Sequence, residues 1–98
     1  MTTYTVNDAL NILRSAGAHV SRQLYYQSLE PVLVADGVAV MVAPQRWQFD
    51  DAGLQRWAGY LAELQRRKKA GTAKKSMPYS IADCHAWERG EWELEQLD

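Results

Sequence analysis

Only four residues, Gly17-Ala18-His19-Val20, separate two helical patterns near the start of this 98-residue chain. That brevity limits the fold more than any other feature. Upstream, Val6, Ala9, Leu10 and Leu13 fall at i, i+3, i+4 and i+7, which predicts an amphipathic helix over residues 5–16. Thr5 and Asp8 have the spacing of a capping box, and Gly17 supplies the left-handed conformation that ends a helix. Downstream, Ser21 is a suitable N-cap, and Val20 before it can staple against Tyr25. This second helix is expected to end at Leu29, because the residue preceding Pro31 avoids the helical region. Val20, Leu24 and Ser28 are expected to face the first helix. Two helices joined by so short a turn must cross steeply, as in a helix-turn-helix.

From Val32 the period changes from helical to strand-like. Val32-Leu33-Val34-Ala35 and Val38-Ala39-Val40-Met41-Val42 flank Asp36-Gly37, a pair that favours a hairpin turn. Ala43-Pro44-Gln45 offers a second turn before the alternating Arg46-Trp47-Gln48-Phe49. A three-stranded ribbon is the expected result, with either turn at its tip. Asp50 is expected to cap a third helix, whose stripe of Leu54, Trp57, Ala58, Leu61 and Leu64 runs to about Lys69. The fold class is thus α+β: two short helices, a β-ribbon and a longer third helix over residues 1–69. A basic linker follows over residues 70–76, then an acidic, aromatic-containing helical tail over residues 77–98.

Charge divides along the same boundary. Residues 1–76 hold ten Lys/Arg against six Asp/Glu, or +4, and residues 77–98 hold one Arg against six Asp/Glu, or −5. The asymmetry points to a partner or to contact between tail and body. The single cysteine, Cys84, excludes an internal disulfide and fits a reducing compartment. No apolar run approaches the roughly 20 residues that cross a bilayer. Met1 to Tyr4 are polar and run into a helical pattern, so no signal peptide is expected and the chain reads as cytosolic.

The second helix carries the most informative side chains. Arg22, Gln23, Tyr26 and Gln27 share one face, all can hydrogen-bond and none is acidic. Arginine and glutamine match the edges of guanine and adenine in the major groove. Ser21 and the first-turn amides suit a phosphate. A plain solvated face is the competing reading, but the position after a four-residue turn favours a recognition helix. The order of elements, through Thr5-Val6-Asn7-Asp8-Ala9, Val20-Ser21-Arg22-Gln23-Leu24-Tyr25-Tyr26 and Asp36-Gly37, resembles the MerR/excisionase-like winged helix-turn-helix superfamily over residues 4–69. The resemblance implies sequence-specific binding of double-stranded DNA by a regulator or architectural factor, with Arg22, Gln23, Tyr26 and Gln27 reading bases. It gives the wing role to the ribbon, chiefly Gln45 and Arg46, although this ribbon is apolar where wings are usually basic. The alternative is a protein-interaction module on the same fold that does not bind DNA.

Other features extend this reading. Arg66, Arg67, Lys68 and Lys69, with Lys74 and Lys75, could follow a DNA backbone, form a solvated helix end or bind the acidic tail. The third-helix stripe could cover the helix-turn-helix or pair with a second copy as a homodimer. In the tail, Trp87, Trp92, Leu94 and Leu97 among glutamates suggest a protein-partner segment, a mimic of DNA charge, or a helix docked on the domain. Trp47, Phe49, Trp57 and Tyr60 are expected in the core rather than in a stacking platform. No catalytic constellation, metal site or cofactor motif is expected: His19 and His85 lack partners of the right kind, and the adjacent Cys84-His85 pair suits one metal poorly.

Overall fold

The capping box read from Thr5 and Asp8 is formed in the computed structural model, which describes residues 2–44, 46–73 and 78–92. The Asp8 N–H donates to the Thr5 hydroxyl oxygen and the Thr5 N–H donates to the Asp8 carboxylate, both at 3.2 Å. They open helix α1 (Val6–Ser15), which buries Ala9, Leu10 and Leu13. Gly17, at φ +95°, closes it: the Gly17 N–H reaches the Arg14 carbonyl and the Ala18 N–H reaches that of Leu13. Those two bonds satisfy carbonyls the helix end leaves free.

The second helix does not stop at Leu29. α2 (Arg22–Leu24) passes through a π-helical turn, Tyr25–Leu29, into α3 (Glu30–Ala35), giving one rod over residues 22–35. Pro31 explains the wide turn. Its ring lacks an N–H and crowds the carbonyl four residues back. A π turn, with the Glu30 N–H donating to the Tyr25 carbonyl, makes the room within the helix. The expected strand over Val32–Ala35 is therefore helical. Asp36-Gly37 is a helix end rather than a hairpin: Gly37 has φ +74°, and the Val38 N–H donates to the Leu33 carbonyl at 2.9 Å. A left-handed residue serves either purpose, and Leu33 and Val38 are both buried, as this closure favours. The rod's core-facing residues also differ from expectation. Tyr25 and Leu29 are fully buried, while Leu24 is half-buried and Ser28 is exposed.

The ribbon keeps three strands with a different membership. β1 (Thr2–Tyr4), β2 (Ala39–Ala43) and β3 (Arg46–Phe49) form an antiparallel sheet in the order β1-β3-β2. Thr2 pairs with Phe49 and Tyr4 with Trp47 on one side of β3, and Ala39 pairs with Phe49 and Met41 with Trp47 on the other. A bulge between Met41 and Ala43 shifts the register toward the turn at Pro44. β2 is thus an outer strand.

α4 (Asp51–Ala70) spans the whole domain. Asp50 stands at its N-cap position without a side-chain cap bond, and its N–H instead donates to the Val38 carbonyl. Leu54, Trp57, Ala58, Leu61 and Leu64 are all fully buried against the body, and Trp47, Phe49 and Tyr60 join the core as expected. The stripe is buried inside the chain. The tail is not separate. α5 (Ile81–Glu88), capped by Ser80, packs on the back of α4, and its Cys84 is fully buried in the same core. Lys74, Lys75, Leu94 and Leu97 lie outside the described residues. Among the described residues, no helix is long and apolar enough to cross a membrane.

Candidate nucleic-acid interface

The four-residue turn is fastened from two sides. The Arg14 guanidinium donates to the Val20 carbonyl at 3.1 Å. From α4, the Gln65 amide accepts from the His19 N–H at 2.7 Å and donates to the His19 carbonyl at 2.9 Å. Gln65 thereby satisfies both backbone groups of a residue with no helix to use them. With the turn fixed, the start of the rod is fixed relative to α1 and α4. Ser21 caps it, accepting from the Leu24 N–H at 3.0 Å.

Ser21, Arg22, Gln23, Tyr26 and Gln27 are all exposed, so the structure brings the proposed base-reading residues together on one open face. Tyr26 is 49% exposed, and its ring stands edge-on to the buried ring of Tyr25 at 5.4 Å between centroids. That contact gives a protruding tyrosine a fixed base. The Arg22 guanidinium donates to the Asn7 side-chain oxygen at the start of α1. Beside this face runs a groove of about 520 Å³, lined by Thr5, Val6, Asn7, Arg22, Tyr26, Glu30, Met41 and Trp47. It separates the rod from the sheet. Within it, one Glu30 carboxylate oxygen is buried without a hydrogen-bond partner.

The hairpin carries one described cation, the exposed Arg46 of β3. Gln45, in the turn before it, lies outside the described residues. Val40, Met41 and Val42 of β2 are 42%, 55% and 50% exposed. The exposed surface of β2 is therefore apolar, as the sequence implied.

The basic run is largely occupied by the fold. Arg66 and Arg67 both pair with Glu63, at 2.5 Å and 2.9 Å. The Arg67 guanidinium also lies over the Trp92 ring, 4.9 Å from its centroid, and the Lys68 ammonium lies 5.5 Å from that of Tyr79. Burial holds the Lys68 ammonium below its usual pKa. Lys69 is exposed one turn beyond Gln65, on the helix face that holds the turn. The sequence showed four cations in a row; Glu63 pairs with two of them within α4, and Tyr79 and Trp92 come from the segments that flank α5.

Those partners account for the tail aromatics. The outer corner of the Trp87 indole lies against Gly59, where a Cβ would stand 2.3 Å from its ring. Trp92 packs edge-on to Tyr60, 5.1 Å between centroids. The two tryptophans expected to seek a partner are thus half-buried against α4.

One cluster was missed at the level of sequence. Asp36, its side chain 8% exposed, accepts from the Arg56 guanidinium at 3.0 Å and the Trp57 indole N–H at 2.9 Å, and meets His85 at 2.7 Å. Arg56 continues to Glu88 at 3.3 Å. Burial works to raise the Asp36 carboxyl, but hydrogen bonds from His85, Trp57 and Arg56 outweigh it and hold the group below its usual range. The cluster ties the end of α3 to α4 and α5. Its only sequence signal was an acidic residue in a turn, which is commonplace. Its members serve one another, and no nucleophile stands open beside them. Burial pushes the Cys84 thiol up to about 12, which makes it a packing group rather than a reactive thiolate. Among the described residues, no group of three His, Cys, Asp or Glu is placed to hold a metal ion.

Compared with known protein families, curated proteins and solved structures, the chain matches none. The functional reading therefore rests on this geometry alone.

Proposed function

We propose that this chain is a winged helix-turn-helix protein that binds double-stranded DNA with sequence preference. In this reading, α1, the fastened turn and the rod form the helix-turn-helix, and the β2–β3 hairpin is the wing. One observation carries it: Arg22, Gln23, Tyr26 and Gln27 are exposed together at the start of a rod whose entry is locked by Arg14 and Gln65. A face of hydrogen-bonding residues without a carboxylate, on a rigid helix end, is what readout of base edges requires. Lys69 and Arg46 supply the exposed cations nearest in kind to phosphate contacts. Regulation of transcription or DNA architecture would follow from such binding.

Because Arg66, Arg67 and Lys68 have partners within the chain, few of the described cations of the basic run remain to displace counterions. The expected salt dependence is shallow, with a log–log slope of roughly −2 to −4, corresponding to about two to four phosphates neutralised. Duplexes selected from a random pool at low salt are the test. Alanine at Arg22 or Gln23 should cost on the order of 1–3 kcal/mol on the preferred sequence and relax the preference. Arg46→Ala should weaken all sequences alike. Failure to select any sequence from the pool, with no binding at low salt, overturns the proposal. It would leave the protein-interaction module as the reading, which the exposed apolar β2 strand favours.

A further inference from the structure

We propose that the outer edge of β2 pairs with the β2 edge of a second copy of this chain, forming a two-fold dimer with one continuous sheet. β2 is the terminal strand of the sheet, so among the described residues the backbone groups on its far side have no strand partner. Outer strands are ordinarily guarded by lysine, inward charges, proline or a bulge. β2, Ala39-Val40-Met41-Val42-Ala43, has of these only the bulge near its end, and its three central residues are each about half exposed. Val34, at the end of α3, adds an exposed apolar residue, 48% exposed.

The strand's own sequence identifies the occupant. Ala39-Val40-Met41-Val42-Ala43 reads the same in both directions. Antiparallel pairing with an identical strand about a two-fold axis at Met41 places Met41 opposite Met41, Val40 opposite Val42, and Ala39 opposite Ala43. Every cross-strand pair is apolar and matched in size, and no pair sets like charges against each other. A two-fold interface must be self-complementary, and this strand is so residue by residue. The bulge between Met41 and Ala43 lies at one end of the strand, so in this pairing it faces the regular Ala39–Val40 segment of the second copy, and the ladder is centred on Met41. The stripe on α4 is buried within the chain, so the dimer does not need the third helix.

Mass measurement in solution by sedimentation or light scattering, without DNA, tests this directly. The full chain should weigh twice its 11.1 kDa at about 100 µM and dissociate on dilution. Met41→Lys places two ammonium groups opposite each other at the axis and should weaken association at least about tenfold, with an unchanged circular dichroism spectrum. Met41→Glu should do the same, and mixing the two variants should restore a heterodimer. A monomer at the highest concentration overturns the proposal. So does a dimer that folded Met41→Lys and Met41→Glu variants leave intact, since that places the contact elsewhere. Neither outcome depends on whether the chain binds DNA.

Discussion

Replacing Asp36 with alanine should destabilise the fold by about 3 kcal/mol, the scale of removing one partner from a buried ion pair. The change leaves the Arg56 guanidinium, its side chain 16% exposed, without its closest carboxylate, and leaves the Trp57 indole N–H without an acceptor. For a domain of this size that corresponds to a fall in Tm of roughly 12–24 °C. Asp36→Asn keeps an acceptor of similar shape but loses the charge, and should cost roughly 1–2 kcal/mol. The loss should depend on pH. Because the folded carboxyl lies below its ordinary value of 3.8, its contribution is fully present above that value and drains away as pH falls through the lowered one. Thermal melts of the two variants at pH 7 and pH 3 measure this. The gap between wild type and Asp36→Asn should narrow at the lower pH. A gap that stays constant would show that the charge of Asp36 contributes nothing.

That cluster also shows which parts of the fold could be read from sequence. α1 and its turn were legible because every determinant is local: Thr5 and Asp8 three residues apart, an apolar face at helical spacing, and Gly17 at the end. The exposed face of Arg22, Gln23, Tyr26 and Gln27 was legible for the same reason, since helix spacing alone puts those residues together. Ambiguity began where one local signal serves two structures. Asp36-Gly37 can turn a hairpin or end a helix, and the choice was made by Leu33 and Val38 packing across the helix end. Pro31 stops most helices, yet here a π turn absorbs it. β1 had no signal of its own, because Thr2-Thr3-Tyr4 becomes a strand only by pairing with β3, more than forty residues away.

The availability of the basic run was illegible for a related reason. Arg67 and Lys68 look like solvated cations until Trp92 and Tyr79 arrive from beyond α4. The docking of α5 was hidden because the back of α4 reads as polar. It presents Arg56, Gly59, Tyr60, Glu63 and Arg67, and it is joined through ion pairs and ring contacts rather than an apolar stripe. Net charge suggested either a partner or contact between tail and body, and Glu88 finds Arg56 within the chain.

Gly59 is the position where this docking is tightest, and a leucine there should expel α5. Even a single Cβ would stand 2.3 Å from the Trp87 ring and 3.0 Å from two further ring atoms, so a larger side chain cannot be absorbed by small shifts. Overpacking alone costs typically 1–3 kcal/mol. Here the helix must also surrender the burial of Cys84 and Trp87, so the expected total is about 3–5 kcal/mol. Leucine is itself a better helix former than glycine by up to about 1 kcal/mol, so a loss cannot be charged to α4 unwinding. Adding Trp87→Ala to Gly59→Leu opens the space the leucine needs and should recover about half of the loss. Chemical denaturation of the single and double variants gives the coupling, and thiol-reagent labelling of Cys84 reports release of α5 independently. Rapid labelling of Gly59→Leu, slowed again in the double variant, is the expected pattern. Additive effects with Cys84 protected throughout would place Trp87 away from Gly59, and would return the tail to the status of a separate segment.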